Sequence, residues 1–166
     1  FSIYVNNPDI LTLANGLGGG LPMVSFVASE TILGLFKSDP ILGHITTFGG
    51  HPVIAAGCLA TLQELVTTDL MAQALEKETL FRKLLVHPLI KEIRGKGLML
   101  AAMTESDDIT NQIILKCQDK GLILFWLLFE GKAVRITPPL TITKEEIEKG
   151  CGIMLEVMDE ILSIKV

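Results

Sequence analysis

Arg135 is one of the side chains in this sequence whose type and setting could hold an anion. It sits in the run Ala133-Val134-Arg135-Ile136-Thr137-Pro138-Pro139-Leu140, which reads as a strand leaving through two prolines. Successive strand residues point to opposite faces, so Arg135 points away from the face shared by Val134 and Ile136. A guanidinium held in this way can grip a carboxylate through two parallel hydrogen bonds, or it can lie on the wet side of a half-buried strand. Thr46-Thr47-Phe48-Gly49-Gly50-His51-Pro52 stands directly before an apolar stretch. Hydroxyls and backbone N–H groups at a helix entry suit a phosphate-like anion, and they equally suit an N-cap and turn. Gly16-Leu17-Gly18-Gly19-Gly20-Leu21-Pro22 places four glycines between two apolar segments. Glycine permits positive φ and close backbone approach, so a tight crossover between buried elements satisfies it as well as a ligand does. It is not a P-loop, since no Gly-Lys-Ser/Thr follows, and the spacing is wrong for a dinucleotide fingerprint.

Other reactive residue types carry less. His44 and His51 have no cysteine close by in sequence, which argues against zinc; no metal is expected. His87, before Pro88, reads as a loop residue. Cys58, Cys117 and Cys151 lie in apolar helical contexts and read as small core residues with no His partner to activate a thiol. Arg94-Gly95-Lys96-Gly97 reads as a turn leading into a buried strand. No Ser-His-Asp order or carboxylate pair stands out.

These residues need a scaffold, and 166 residues with 49% hydrophobic and 20% charged content are enough for one ordinary domain, or a domain and part of another. A net charge of −5, a pI near 5.2 and a mean hydropathy of +0.48 argue against disorder and against a nucleic-acid binder. The longest strongly apolar run, Leu122 to Phe129, is far short of the roughly 20 residues that span a bilayer, so no membrane partner is expected. Phe1-Ser2-Ile3-Tyr4 does not resemble a signal peptide, and without an initiator methionine the sequence is expected to begin inside something longer or to be processed. Three cysteines cannot form a paired framework and suit a reducing, cytoplasmic compartment.

Charge is uneven. Residues 1–68 hold one basic group, Lys37, and four acidic ones, Asp9, Glu30, Asp39 and Glu64; the other 13 basic and 15 acidic groups follow. A segment so poor in charge is expected to be covered by more of its own chain or by a subunit partner. A soft boundary falls near Thr67 to Asp69.

The pattern predicts strands at Asp9 to Ala14 and Met23 to Ala28, and an apolar helix from Pro52 to Leu65. A second helix, about Asp69 to Leu85, has Glu76, Lys77, Glu78, Arg82 and Lys83 on its wet side. A buried strand from Gly97 to Met103 and a helix from Asp108 to Lys120, closed by Gly121, come next. Leu122 to Phe129 and Ala133 to Thr137 pair across a Glu130-Gly131-Lys132 turn. Thr143-Lys144-Glu145-Glu146 is a capping box opening a helix towards Leu162. The second part is a small α+β domain.

Pro8-Asp9-Ile10-Leu11-Thr12-Leu13-Ala14-Asn15-Gly16-Leu17-Gly18-Gly19-Gly20-Leu21-Pro22 resembles the cofactor-lysine segment of class III pyridoxal-phosphate-dependent aminotransferases, the ornithine and acetylornithine group. Thr47-Phe48-Gly49-Gly50-His51-Pro52, Arg94-Gly95-Lys96-Gly97-Leu98 and Arg135-Ile136-Thr137-Pro138-Pro139-Leu140 match in the family's order and approximate spacing, over essentially the whole chain. The resemblance implies the C-terminal part of a fold-type I transferase, α/β and α+β. On that reading 1–68 is the end of the pyridoxal-phosphate-binding large domain and 69–166 the small α+β domain. It implies amino transfer between an ornithine-like donor and a 2-oxo acid, with a homodimer or the upstream remainder of the same enzyme as partner. It assigns Arg135 to the substrate carboxylate and Thr47 to the cofactor phosphate across the dimer interface.

Position 15 matches the Schiff-base lysine, and here it is Asn15. An amide nitrogen is delocalised into its carbonyl and is neither nucleophilic nor basic, whereas imine formation needs a primary amine. Ala14 and Gly16 offer no substitute, and the nearest later lysine is Lys37. The family's phosphate loop, ring-stacking aromatic and pyridine-nitrogen aspartate would lie upstream. Met23-Val24-Ser25 departs from the family pattern, and the Tyr4 to Asn7 lead-in reads as shortened. The chain alone is expected to be inactive, with doubtful cofactor binding; the alternative is a non-catalytic relative acting in binding or assembly.

Overall fold

Alternating apolar residues in the first segment pair off at once. In the computed structural model, which describes residues 8–38, 40–41 and 43–164, strand β1 (Ile10–Leu13) runs antiparallel to β2 (Ser25–Ala28), with Ile10 opposite Ala28 and Leu13 opposite Ser25. The lead-in at Tyr4 to Asn7 lies outside the described residues. The glycine run between the strands forms a short 3-10 turn, Asn15–Gly18, closed by Gly19 at φ 60°. A short helix α1 (Glu30–Gly34) follows, capped by Ser29, whose Oγ accepts the Ile32 N–H at 3.3 Å. Helix α2 (Pro52–Thr67) completes this part.

The chain divides into two compact units, Phe1–Thr68 and Asp69–Val166, at the same place as the step in charge density. In the first, the glycines serve packing. A Cβ on Gly19 would stand 2.2 Å from Thr61 Oγ1 of α2, and one on Gly57 of α2 would stand 3.0 Å from the Gly18 carbonyl. Bare backbone on both sides is what lets the turn lie on the helix. Burial is otherwise thin. Among the described residues, Cys58 is the one buried hydrophobic side chain before Asp69, while Phe26, Phe48, Val53, Leu59 and Val66 are exposed.

The second unit builds a full core. Helix α3 (Leu70–Leu84) leads to a four-stranded antiparallel sheet of β3 (Glu92–Lys96), β4 (Met99–Met103), β5 (Phe125–Leu127) and β6 (Glu130–Ile136), in the order β3-β4-β6-β5. Helices α4 (Asp107–Asp119) and α5 (Lys144–Ile164) pack on each other, and α4 also packs against β6. Ala102 and Val134 of the sheet, Ile113 and Cys117 of α4, and Val157 and Met158 of α5 are fully buried. The Thr143 capping box forms in both directions. Thr143 N–H donates to Glu146 Oε2 at 2.8 Å, and Glu146 N–H donates to Thr143 Oγ1 at 3.2 Å.

Four expectations are corrected. Arg94-Gly95-Lys96 is strand, not turn; only Gly97 and Leu98 turn, because Gly95, at φ 108°, lets the Met99 carbonyl lie 2.0 Å from where its Cβ would be. The buried strand accordingly starts at Met99 rather than Gly97, and Met99 itself is exposed. The β5–β6 hairpin turns at Leu128-Phe129, with Glu130 to Lys132 already in β6. Glu78 is not on the wet side of α3. It is buried, accepting the Gly97 N–H at 2.6 Å and Arg82 Nε–H at 3.0 Å.

Candidate functional site

Register places the site's arginine. Across the sheet, Arg94 of β3 stands opposite Ala101 of β4, Ala101 opposite Arg135 of β6, and Arg135 opposite Phe125 of β5. The face behind this row is core: Val134 is fully buried and Ile136 nearly so, so Arg135 is directed to the other side, as strand alternation demands. Its guanidinium lies over the Phe125 ring, 5.0 Å from the centroid, a cation–π contact that fixes the side chain without using its N–H groups. Arg135 Nε is buried and, among the described residues, has no hydrogen-bond partner. A buried charged donor without an acceptor is costly, and any anionic oxygen reaching it would relieve that cost.

Arg135 borders two clefts. One, of about 300 Å³, opens on the exposed sheet face between Arg94, Met99, Ala101 and Leu127. The other, of about 290 Å³, lies against α5 among Leu122, Leu124, Phe125, Ile142 and Met154. Arg94 is already engaged, its Nε donating to Glu92 Oε1 at 2.6 Å, so Arg135 is the guanidinium with unspent donors. Trp126, the chain's one tryptophan, neighbours this group; its Nε1–H donates to Asn111 Oδ1 at 2.6 Å, and its ring stands edge-on to Phe125.

Sequence reasoning missed what braces the site. Lys77 Nζ donates to the Leu140 carbonyl at 2.5 Å, tying α3 to the loop that leaves β6. Arg82 donates from Nη1 to the Ile93 carbonyl at 2.5 Å and from Nη2 to the Gly95 carbonyl at 2.9 Å, holding β3. Burial pushes the Glu78 carboxyl up, but the Gly97 N–H, Arg82 and Lys96 outweigh it and leave its pKa below the ordinary value. No motif marks these contacts, which join residues far apart in sequence.

The remaining candidates lie in the first unit. Asn15 opens the 3-10 turn of the glycine run. Thr47 is exposed in the turn before α2, where Gly49 N–H donates to the Thr46 carbonyl and His51 N–H to the Phe48 carbonyl, each at 3.2 Å. Gly50 takes φ 73°, Pro52 begins the helix, and no side chain caps it. The three cysteines are buried and unpaired; burial pushes the Cys117 thiol up to about 11 and the Cys151 thiol up to about 12. Among the described residues, no group of three or more His, Cys, Asp or Glu could hold a metal ion, and no single helix is long and apolar enough to cross a membrane. His87 is a loop residue, as expected, yet its side chain is 6% exposed: its Nδ1 accepts the Leu89 N–H at 3.1 Å and its Nε2 meets Asp159 Oδ1 at 3.2 Å.

Comparison with known proteins gives this geometry a setting. The family model "Aminotransferase class-III" matches residues 3–158. An acetylornithine aminotransferase of Caldanaerobacter subterraneus is 39% identical over 163 residues, which cover 93% of this chain and 39% of that protein. A putrescine aminotransferase of Pectobacterium atrosepticum is 37% identical over 166 residues, 96% of this chain and 34% of that protein. An ornithine aminotransferase structure from Plasmodium yoelii superposes with a TM-score of 0.83 at 28% identity, over 96% of this chain and 43% of that one. One from Toxoplasma gondii gives 0.83 at 29%, over 94% and 38%. The chain thus spans about two fifths of the length of the relatives it matches.

Proposed function

We propose, from the premise that the chain belongs to the class III aminotransferases, a pyridoxal-phosphate-dependent family, that it carries the carboxylate-holding portion of such an enzyme and does not turn over as written. Residues 1–68 are then the end of the large domain and residues 69–166 the small domain. The observation that carries the reading is Arg135, half-buried over Phe125 with its Nε unpartnered. Its fork holds the carboxylate of an amino acid or 2-oxo acid and orients the rest of the molecule, as a bidentate pair does. Thr47, with the uncapped start of α2, is the group for a phosphate. A homodimer, or more of a longer chain, covers the exposed apolar residues of the first unit, in the cytoplasm.

The residues present do not fit the cofactor's covalent attachment. When bound, pyridoxal phosphate supplies an electron sink for the substrate's α-carbon, but it is anchored through a primary amine. Asn15 offers an amide. The second reading, a non-catalytic relative used for assembly, is favoured by the exposed Phe48, Val53, Leu59 and Val66, which suit an interface.

The test of the carboxylate reading is a titration of the chain with acetate and with a 2-oxo acid, read by Trp126 emission and calorimetry. Saturable binding, lost in Arg135→Met and largely kept in Arg94→Met, is expected. Binding indifferent to Arg135→Met would remove the reading.

A further inference from the structure

We propose that Arg82 closes the outer edge of the four-stranded sheet, and that the partner it keeps out is strand β3 of a second copy of this chain.

Among the described residues, β3 has a neighbouring strand on one side only, β4. Arg82 of α3 lies along the other side. Its Nη1–H donates to the Ile93 carbonyl at 2.5 Å and its Nη2–H to the Gly95 carbonyl at 2.9 Å. Carbonyls two residues apart on a strand point the same way and stand about 7 Å apart. A planar fork with donors on two nitrogens reaches both, which a single ammonium cannot. The fork is held from behind. Arg82 Nε–H donates to Glu78 Oε1 at 3.0 Å, and Glu78 Oε2 accepts the Gly97 N–H of the β3–β4 turn at 2.6 Å. Glu78 is buried, so the clasp is anchored in the interior of its unit rather than in water.

In an antiparallel ladder the N–H and C=O of one residue face the same side. Ile93 and Gly95 therefore present their main chain away from β4, as a template for one more strand. A second β3 laid antiparallel, with Arg94 opposite Arg94, sets Ile93 of each copy against Gly95 of the other, and both N–H···O bonds of each such pair can form. The same register sets Glu92 of each copy against Lys96 of the other, an attractive cross-strand pair. Arg94 then meets Arg94, but its Nε–H already donates to Glu92 Oε1 of its own strand at 2.6 Å. Charged side chains usually deter pairing at a sheet edge. Here their order is largely self-complementary when the strand is reversed, so the cover that keeps β3 single is the one on its backbone.

The experiment compares sedimentation of the whole chain with that of its Arg82→Met variant, and reads hydrogen exchange over 92–96 by mass spectrometry at low and high protein concentration. Opening the edge should tighten self-association on the order of 10–100-fold, with the amides of 92–96 gaining protection as concentration rises. Adding Glu92→Lys, which sets like charges against each other at both ends of the register, should reverse both changes. Arg82→Lys, a single donor point in place of the fork, should give the same pattern with a smaller gain, and it serves if Arg82→Met does not fold. Ile113→Ala weakens the core but leaves the edge covered, so it should gain no protection in 92–96. Association of the Arg82 variants no tighter than that of the unaltered chain overturns the proposal. So do tighter association without protection in 92–96, a gain that survives Glu92→Lys, and the same protection in Ile113→Ala or in the unaltered chain.

Discussion

The two units of this chain handle hydrophobic residues in opposite ways. In Asp69–Val166, alternation along β4 and β6 and the helical stripes of α4 and α5 converge on one core, with Ala102, Ile113, Val134 and Val157 fully buried. In the described part of Phe1–Thr68, apolar side chains are as frequent but are left outside, and Cys58 is buried almost alone. The difference teaches that apolar content does not by itself make a core. A core needs faces that oppose one another, and the first unit has a two-stranded ribbon and one long helix with too few charges to pay for solvation. Low charge density leaves the first unit's surface short of the polar groups that normally cover a solvated face.

That contrast can be broken experimentally, the largest effect coming from thiol protection. Cys58 should alkylate on the order of 100-fold faster than Cys117 or Cys151, since a thinly packed unit opens at lower free energy than a full core. Burial also holds the latter two thiols at about 11 and about 12, so at pH 8 they are un-ionised. Equal rates at all three, followed by mass spectrometry, would erase the distinction. Next, Ile113→Ala should lower the stability of the second unit by about 2–5 kcal/mol, while Leu59→Ala, at a 57% exposed residue, stays within about 0.5 kcal/mol. Denaturant melts read by Trp126 give the first value and circular dichroism the second.

Glu78→Ala should cost about 3 kcal/mol by leaving the Arg82 Nε–H and the Gly97 N–H without their acceptor. The pH dependence follows from sign. The Glu78 carboxyl is lowered in the folded chain, so its contribution is fully present above the unfolded carboxylate pKa and is lost as pH falls through the folded one. Glu78→Gln should therefore flatten the acid limb of the stability profile, and an unchanged limb would mean that the network around Gly97 does not drive acid unfolding. The smallest effect is expected at the α5 start, where Thr143→Ala removes half of the capping box for about 1 kcal/mol.

Much of the second unit could be read from local signals. The capping box, the glycine closing α4 and the direction of Arg135 each depend on residues within one or two turns of chain. The errors share a different cause. Helical periodicity puts Glu78 on the wet face because it names a face without naming what meets it, whereas the acceptor role of Glu78 depends on Gly97, 19 residues on. Arg94-Gly95-Lys96 read as a turn because glycine breaks strands; here Gly95 admits the neighbouring strand's carbonyl, a fact of the partner strand. The Leu128-Phe129 turn was hidden by apolar residues at a fully exposed tip. Of the site, the isolated signal was Arg135. Lys77 and Arg82, which brace it, act through backbone carbonyls that leave no sequence trace. The meaning of Asn15 and Thr47 came through resemblance alone.

A carboxylate grip without a covalent anchor for the cofactor is what we propose for this chain. Incubation with pyridoxal phosphate, reduction with borohydride and peptide mapping tests it directly. The account predicts weak, scattered labelling of lysines in the unaltered chain, and a dominant adduct at position 15 in Asn15→Lys. One stoichiometric adduct on a single lysine of the unaltered chain would contradict it.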